Sequence, residues 1–205
     1  MTTQTEAPVL DQDAQRLLFT DARSPLRLST QPVPIEAVHH AYALAKFGPT
    51  AFNSMPMRIE IAQSAEARQA VVDAAGSGNK ERLANAPMVI VASADNNFHE
   101  FSHITAPQVE GLRDRMEANE AMRTGLAYDS SWLQIGYLII ALRAVGLAVR
   151  PMGGFDRATL EQSLLQGTSH TPLLLLAVGY PAEDGDAGVG ERSGRPDWDD
   201  FATIR

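Results

Sequence analysis

The sequence predicts an α+β protein on three observations: helix-spaced apolar residues recur in several segments, two unbroken apolar runs have strand length, and a third run alternates apolar with charged residues. Taken in order, residues 1–10 are polar and read as a flexible start, followed by a single domain over 11–205. Asp11 is placed to cap a first helix reaching about Asp21, with Ala14, Leu17 and Leu18 near one face. Pro34 opens a second helix, since its ring presets φ and its missing N–H is not needed there. Ile35, Val38, Tyr42 and Ala45 carry the helical spacing, and Gly48 stands at the C-terminal cap.

Met57, Ile59 and Ile61 alternate with Arg58 and Glu60, as a half-buried strand requires. Ser64 caps a helix over 65–75, with Gly76-Ser77-Gly78-Asn79 as its terminator. Met88–Ala92 is an interior strand. Residues 95–127 are polar and mixed, with helical propensity over 109–122, and read as an excursion over the surface. A helix over 130–146 is apolar nearly all round, so it needs burial on several sides, by its own core or by a partner subunit. A short strand over 147–150, a loop Pro151-Met152-Gly153-Gly154-Phe155, a helix capped by Asp156 and an interior strand over 173–178 complete the core. The tail from Ala182 carries Trp198 and Phe201, two aromatics that call for a docking surface.

Composition excludes several function classes. A net charge of −8 argues against a broad nucleic-acid or anionic-membrane surface, though not against a local arginine cluster around one phosphate. The absence of cysteine removes disulfides, thiolate catalysis and cysteine-ligated metal. No basic start followed by an apolar core is present, and Arg143 interrupts the one long apolar run, so a cytoplasmic protein is expected, with neither nucleic-acid nor membrane partner.

His99-Glu100-Phe101-Ser102-His103 matches the H-E-x-x-H pattern of zinc hydrolases, but Asn96-Asn97 and Pro107 make poor helical context and no third ligand is indicated. No metal is expected. In Gly48-Pro49-Thr50-Ala51-Phe52-Asn53-Ser54-Met55-Pro56, Gly and Pro shape the chain while Thr50, Asn53 and Ser54 offer polar side chains. Such groups suit the donor-and-acceptor edge of a flavin ring, and equally suit a cap followed by a turn. The paired glycines Gly153-Gly154 admit close approach of backbone to a flat ligand. Arg23-Ser24 near the start, and Arg192 with Arg195 near the end, are candidate phosphate donors.

In this order the segments resemble the nitroreductase-like flavoprotein family. Arg23-Ser24 resembles its phosphate-binding element, and Pro49-Thr50-Ala51-Phe52-Asn53-Ser54-Met55-Pro56 its signature loop. Pro151-Met152-Gly153-Gly154-Phe155-Asp156 resembles the loop beside the reactive flavin nitrogen, and Arg195 before Pro196 a second phosphate ligand. There are departures: Ala22 precedes Arg23 where many relatives have a second basic residue, Gly153 stands at an often acidic position, and Ser193-Gly194-Arg195 replaces Lys-x-Arg. Arg27 and Arg192 are the nearby substitutes. A narrower likeness, to malonic semialdehyde reductases, rests on 18–23, Gly48-Pro49-Thr50, Ser77-Gly78-Asn79 and Gly154-Phe155-Asp156.

The resemblance implies a mostly antiparallel sheet flanked by helices, an intertwined homodimer, and FMN in the subunit interface with NADH or NADPH as co-substrate. It implies flavin contacts at Arg23, Ser24, Arg27, Pro49, Thr50, Asn53, Met55, Pro151, Met152, Gly153, Gly154, Arg192 and Arg195, with the flavin rather than a side chain carrying the hydride. The expected reaction is reduction of malonic semialdehyde to 3-hydroxypropanoate. Nitroaromatic or quinone reduction, and flavin binding without turnover, are the alternatives.

Overall fold

The structure is a computed structural model describing residues 8–182, 189 and 191–205, so the first seven residues of the predicted flexible start lie outside it. Its helices are α1 (Gln12–Gln15, running into a π-turn at Arg16–Thr20), α2 (Ile35–Ala45), α3 (Ala65–Ala74), α4 (Ser77–Ala84), α5 (Ser102–Thr105), α6 (Leu112–Glu117), α7 (Glu120–Ala144), α8 (Arg157–Ser163) and α9 (Trp198–Phe201). Its strands are β1 (Met57–Ile61), β2 (Met88–Asp95), β3 (Ala148–Met152) and β4 (His170–Gly179). They form one antiparallel sheet in the order β1-β2-β4-β3.

Burial on both faces explains the two unbroken apolar runs. Ile90 and Ala92 of β2, with Leu174, Leu176 and Val178 of β4, pack against α2 and α7 through Val38, Ala41, Leu138 and Leu142. Their sequence neighbours Val89, Val91, Leu175 and Ala177 face the other way, onto Val71, Leu83 and Leu160 of α3, α4 and α8. Successive strand residues point to opposite faces, so a sheet covered on both sides needs every position apolar. β1 and β3 lie at the edges, where Arg58 and Glu60 alternate with core residues and Pro151 is tolerated for want of a second ladder.

The expected caps are present: Asp11, Ser64 and Asp156 accept from the backbone N–H three residues on, at 2.7, 3.1 and 2.8 Å. Three local expectations are corrected. Gly76 does not end the helical region but precedes α4, a further helix whose buried residue is Leu83 alone. The long helix starts at Glu120, ten residues before the apolar stretch that signals it. Pro151 and Met152 close β3, so only Gly153 and Gly154 remain as loop before the bridge of Phe155 to Ala75. Trp198 and Phe201 are 63% and 79% exposed, with their rings tilted at 46° and 6.2 Å apart.

Candidate flavin site

The basic residues predicted at opposite ends of the chain come together. Arg23, Ser24, Arg192 and Arg195 line one open cavity of about 550 Å³, with Arg143 of α7 as a further cation and Glu191 as the one carboxylate among the described residues of its lining. Arg192 is fixed by donating to the carbonyls of Thr20 and Ala22 at 2.6 and 3.0 Å. Arg150 of β3 ties the Arg23–Ser24 segment to the sheet through the carbonyls of Ser24 and Pro25, both at 3.2 Å. Arg195 donates to the carbonyls of Ser193 and Gly194. In a chain of net charge −8, this convergence of guanidiniums has the chemistry that suits a compact anion. Burial pushes the Arg143 guanidinium below its usual range, a cost that an anion beside it relieves.

A second cavity of about 500 Å³ adjoins the first at Leu26 and is lined by Arg27, Arg82, Arg150, Ser77 and Gly78. Burial first, and then the like charge of Arg82, lowers Arg150. The residues flanking Ser77-Gly78 join this cavity to the second glycine loop: Gly76 N–H and Asn79 Nδ2 donate to the Gly154 carbonyl at 2.9 and 3.3 Å. Both loop glycines are exposed, and a side chain at Gly153 would project into open space. Thus Gly153 leaves exposed backbone facing open space and is not demanded by a special backbone conformation. Asn79 was legible only as part of a helix terminator; its bond to Gly154 belongs to tertiary structure.

The third predicted element lies elsewhere. No residue of 48–56 lines either basic cavity. The loop instead holds Phe52, Asn53 and Met55 at φ of 56°, 51° and 46°, three non-glycine residues in the left-handed region within four positions. Each costs of order 1 kcal/mol, and such clusters persist where surrounding contacts over-determine them, most often at functional sites. Those contacts are visible: Met55 N–H donates to Thr50 Oγ1 at 3.2 Å, Ala51 N–H to Ser130 Oγ at 3.4 Å, and Met57 N–H to Gln134 Oε1 at 2.9 Å. Ser130, Ser131 and Gln134 are buried polar residues in the middle of α7, which the sequence reading passed over as part of an apolar helix. Asn53 Nδ2 donates to the Thr105 carbonyl at 2.7 Å, and the Oγ of buried Ser54 has no partner. A strained backbone bearing polar groups with an orphaned hydroxyl fits a flat ligand with donors and acceptors on its edge.

The zinc-like motif does not assemble. A break between the 3-10 turn Phe98–Phe101 and α5 separates its histidines; His99 is buried while His103 bonds locally to the Glu100 carbonyl. His99 Nε2 meets Glu117 Oε2 at 2.7 Å, and Glu100 is nearby. Arg113 and Arg123 already pair with those two carboxylates, so the group is charge-compensated without a cation.

An α+β chain with two adjoining basic cavities and a strained polar loop has the donor groups that an anionic, flat-ringed ligand would use. Residues 20–180 match the Nitroreductase family, and the chain belongs to that family. A Streptomyces griseus protein provisionally named NADH dehydrogenase/NAD(P)H nitroreductase is 40% identical over 176 residues, covering 86% of this chain and 89% of its own. A Leptothrix cholodnii protein of the same provisional name is 35% identical over 196 residues, covering 95% and 98%. Among solved structures, a provisionally named nitroreductase from Exiguobacterium sibiricum in complex with FMN superposes with a TM-score of 0.76 at 19% identity, covering 97% of this chain and all of its own. Among the described residues, no helix is long and apolar enough to cross a membrane.

Proposed function

We propose that this chain is an FMN-dependent NAD(P)H oxidoreductase acting as a homodimer, with malonic semialdehyde as its acceptor. The observation that carries the reading is the convergence of Arg23, Ser24, Arg143, Arg192 and Arg195 on one cavity. Family membership supports it, since the Nitroreductase family uses FMN with NAD(P)H. When bound, FMN supplies a two-electron carrier that takes a hydride from NAD(P)H and passes it to the acceptor.

The protein's own part is binding and positioning. Arg23, Ser24, Arg192 and Arg195 hold the phosphate, with Arg143 adding charge and Arg27 lining the neighbouring cavity. The exposed backbone at Gly153 and Gly154, after Pro151 and Met152, flanks the ring, with Gly154 fixed by Asn79. Pro49, Thr50, Asn53 and Met55 present a polar edge to it, with Asn53 as the direct contact. Proton delivery to the reduced acceptor falls to water.

The separation of these elements supports the homodimer. A flavin touching both the basic cavities and the Pro49–Met55 loop draws them from two copies, because no residue of the loop lines either cavity. Exposed Tyr42, Phe47, Tyr128, Leu133 and Tyr137 on and around α2 and α7, with Trp198 and Phe201 of the tail, supply apolar surface for such an interface.

The guanidiniums of Arg27, Arg82 and Arg150 outnumber the carboxylate of Glu81 in the same lining, which suits an acceptor bearing a carboxylate, as malonic semialdehyde does. A different observation favours a flat apolar acceptor, a nitroaromatic or quinone: Phe52, Phe101 and Ile104 stand exposed around Asn53 and its partner Thr105. Identification of the flavin released from purified protein, followed by steady-state comparison of malonic semialdehyde with a nitroaromatic, tests both parts. A higher kcat/KM for malonic semialdehyde supports the first acceptor, and the reverse ranking replaces it. Protein that neither carries nor binds FMN ends the proposal.

A further inference from the structure

Arg58, on edge strand β1, makes four contacts that no sequence signal announces. Its Nη1 donates to the Met55 and Met57 carbonyls at 2.9 and 3.0 Å, on either side of the exit from the strained loop. Its Nη2 pairs with Asp95 Oδ2 at 2.8 Å. Its Cζ lies 4.9 Å from the centroid of the Phe101 ring. Asp95 is itself buried and tied on, accepting from Asn97 N–H at 2.8 Å and from Ser169 Oγ at 2.6 Å, while its own N–H donates to the Pro56 carbonyl at 2.9 Å. The segment 98–105, which carries exposed Phe101 and Ile104, is joined to the loop again at its far end by the bond from Asn53 to Thr105.

From this we infer that Arg58 is a positioning residue: it locks the left-handed loop that presents Asn53, and sets that loop in register with the aromatic segment 98–105. The inference rests on the proposed placement of Asn53 against the flavin. A planar guanidinium is what the geometry uses. Its fork reaches two carbonyls and a carboxylate at once, while its central carbon sits over an aromatic ring. A bland alternative is that Arg58 serves only to neutralise buried Asp95. Lysine separates the two roles, because an ammonium keeps the charge opposite Asp95 but cannot reproduce the fork.

The test uses full-length FMN-loaded protein in stopped flow, reading the rate of anaerobic flavin reduction by NADH or NADPH, with visible circular dichroism of the bound flavin as a second readout. Arg58→Lys is expected to keep its thermal midpoint within about 3 °C of the parent while the reduction rate falls about tenfold and the flavin dichroism changes. Asn53→Ala is expected to lose about tenfold as well, and the double variant no more than Asn53→Ala alone, because both act through one contact. An unchanged rate in Arg58→Lys, or single losses that multiply in the double variant, overturns the positioning role while leaving the flavin site standing. No loss in Asn53→Ala removes the loop from the flavin and overturns both this inference and the reading beneath it. Phe101→Leu leaves the Arg58–Asp95 pair in place and covers the case in which Arg58→Lys fails to fold. It is expected to lower the reduction rate about threefold in the parent and not at all in the Asn53→Ala background. An unchanged rate in the parent excludes coupling to the aromatic segment.

Discussion

Truncation of Arg195 probes the phosphate site with little disturbance to the fold. Among the described residues its guanidinium donates to the neighbouring carbonyls of Ser193 and Gly194 alone, on an exposed stretch, so Arg195→Ala leaves no buried partner unpaired there. What it removes is one of four guanidiniums lining the cavity with Arg23, Arg143 and Arg192. A hydrogen bond to a charged group contributes about 1.5–3 kcal/mol. The cavity is open and three other cations remain, so the lower end applies, and about 1.5 kcal/mol corresponds to roughly a tenfold rise in Kd for FMN. Riboflavin lacks the phosphate and supplies the control. Fluorescence-quenching titration of apoprotein with each flavin gives a thermodynamic cycle: Arg195→Ala is expected to weaken FMN about tenfold and riboflavin less than about twofold. Added salt is expected to narrow the FMN preference of the parent, since an open site is screened. Equal weakening of both flavins would refute the assignment of this cavity to the phosphate.

Gly48→Ala is expected to destabilise the chain by about 1–3 kcal/mol in denaturant melts. A Cβ there lies 2.7 Å from Tyr137 Cγ and 3.0 and 3.1 Å from the ring carbons beyond it, so the ring must swing away from the helix–loop junction. Leu133→Glu places a charge on the exposed apolar side of α7 and is expected to convert a particle of twice the 22.2 kDa chain mass to a single-chain one in sedimentation, with loss of flavin. Acid stability should follow four carboxyls held below their usual range: Glu66 by its own backbone N–H and then Ser64, Glu100 by the hydrogen bond from Arg113, Glu117 by that from His99, and Asp156 by the Thr159 N–H. A depressed folded pKa stabilises above the ordinary carboxylate range and is lost as pH falls through the depressed value. Unfolding free energy is therefore expected to hold from neutrality to about pH 5 and decline below it, less steeply in Glu117→Gln.

The sheet was legible because both of its central strands are buried on two faces. Met88–Ala92 and Leu173–Val178 therefore advertise themselves as unbroken apolar runs, and the structure extends them by Ser93–Asp95, by His170–Pro172 and by Gly179. The helix α4 was not legible, since Leu83 is its one buried residue and Gly76 before it imitates a stop. The start of α7 was hidden for a related reason: Glu120–Leu126 contributes no buried residue to the helix, so the periodic signal begins only downstream. At the candidate site, the arginines and the two loops could be placed by order along the chain, and the structure shows which of them meet. The left-handed backbone at Phe52, Asn53 and Met55 was invisible, because Phe and Met carry no preference for that region and tertiary contacts impose it. Arg58, Ser130 and Gln134 were likewise indistinguishable from an edge-strand charge and an amphipathic helix until their partners were known.

The most direct measurement is anaerobic mixing of the FMN-loaded protein with NADH and with NADPH, followed by addition of malonic semialdehyde and of a nitroaromatic. Bleaching of the flavin by at least one nicotinamide, with colour restored by an acceptor, is the predicted result. A flavin that binds yet is not reduced by either nicotinamide would contradict it and leave a binding protein without turnover.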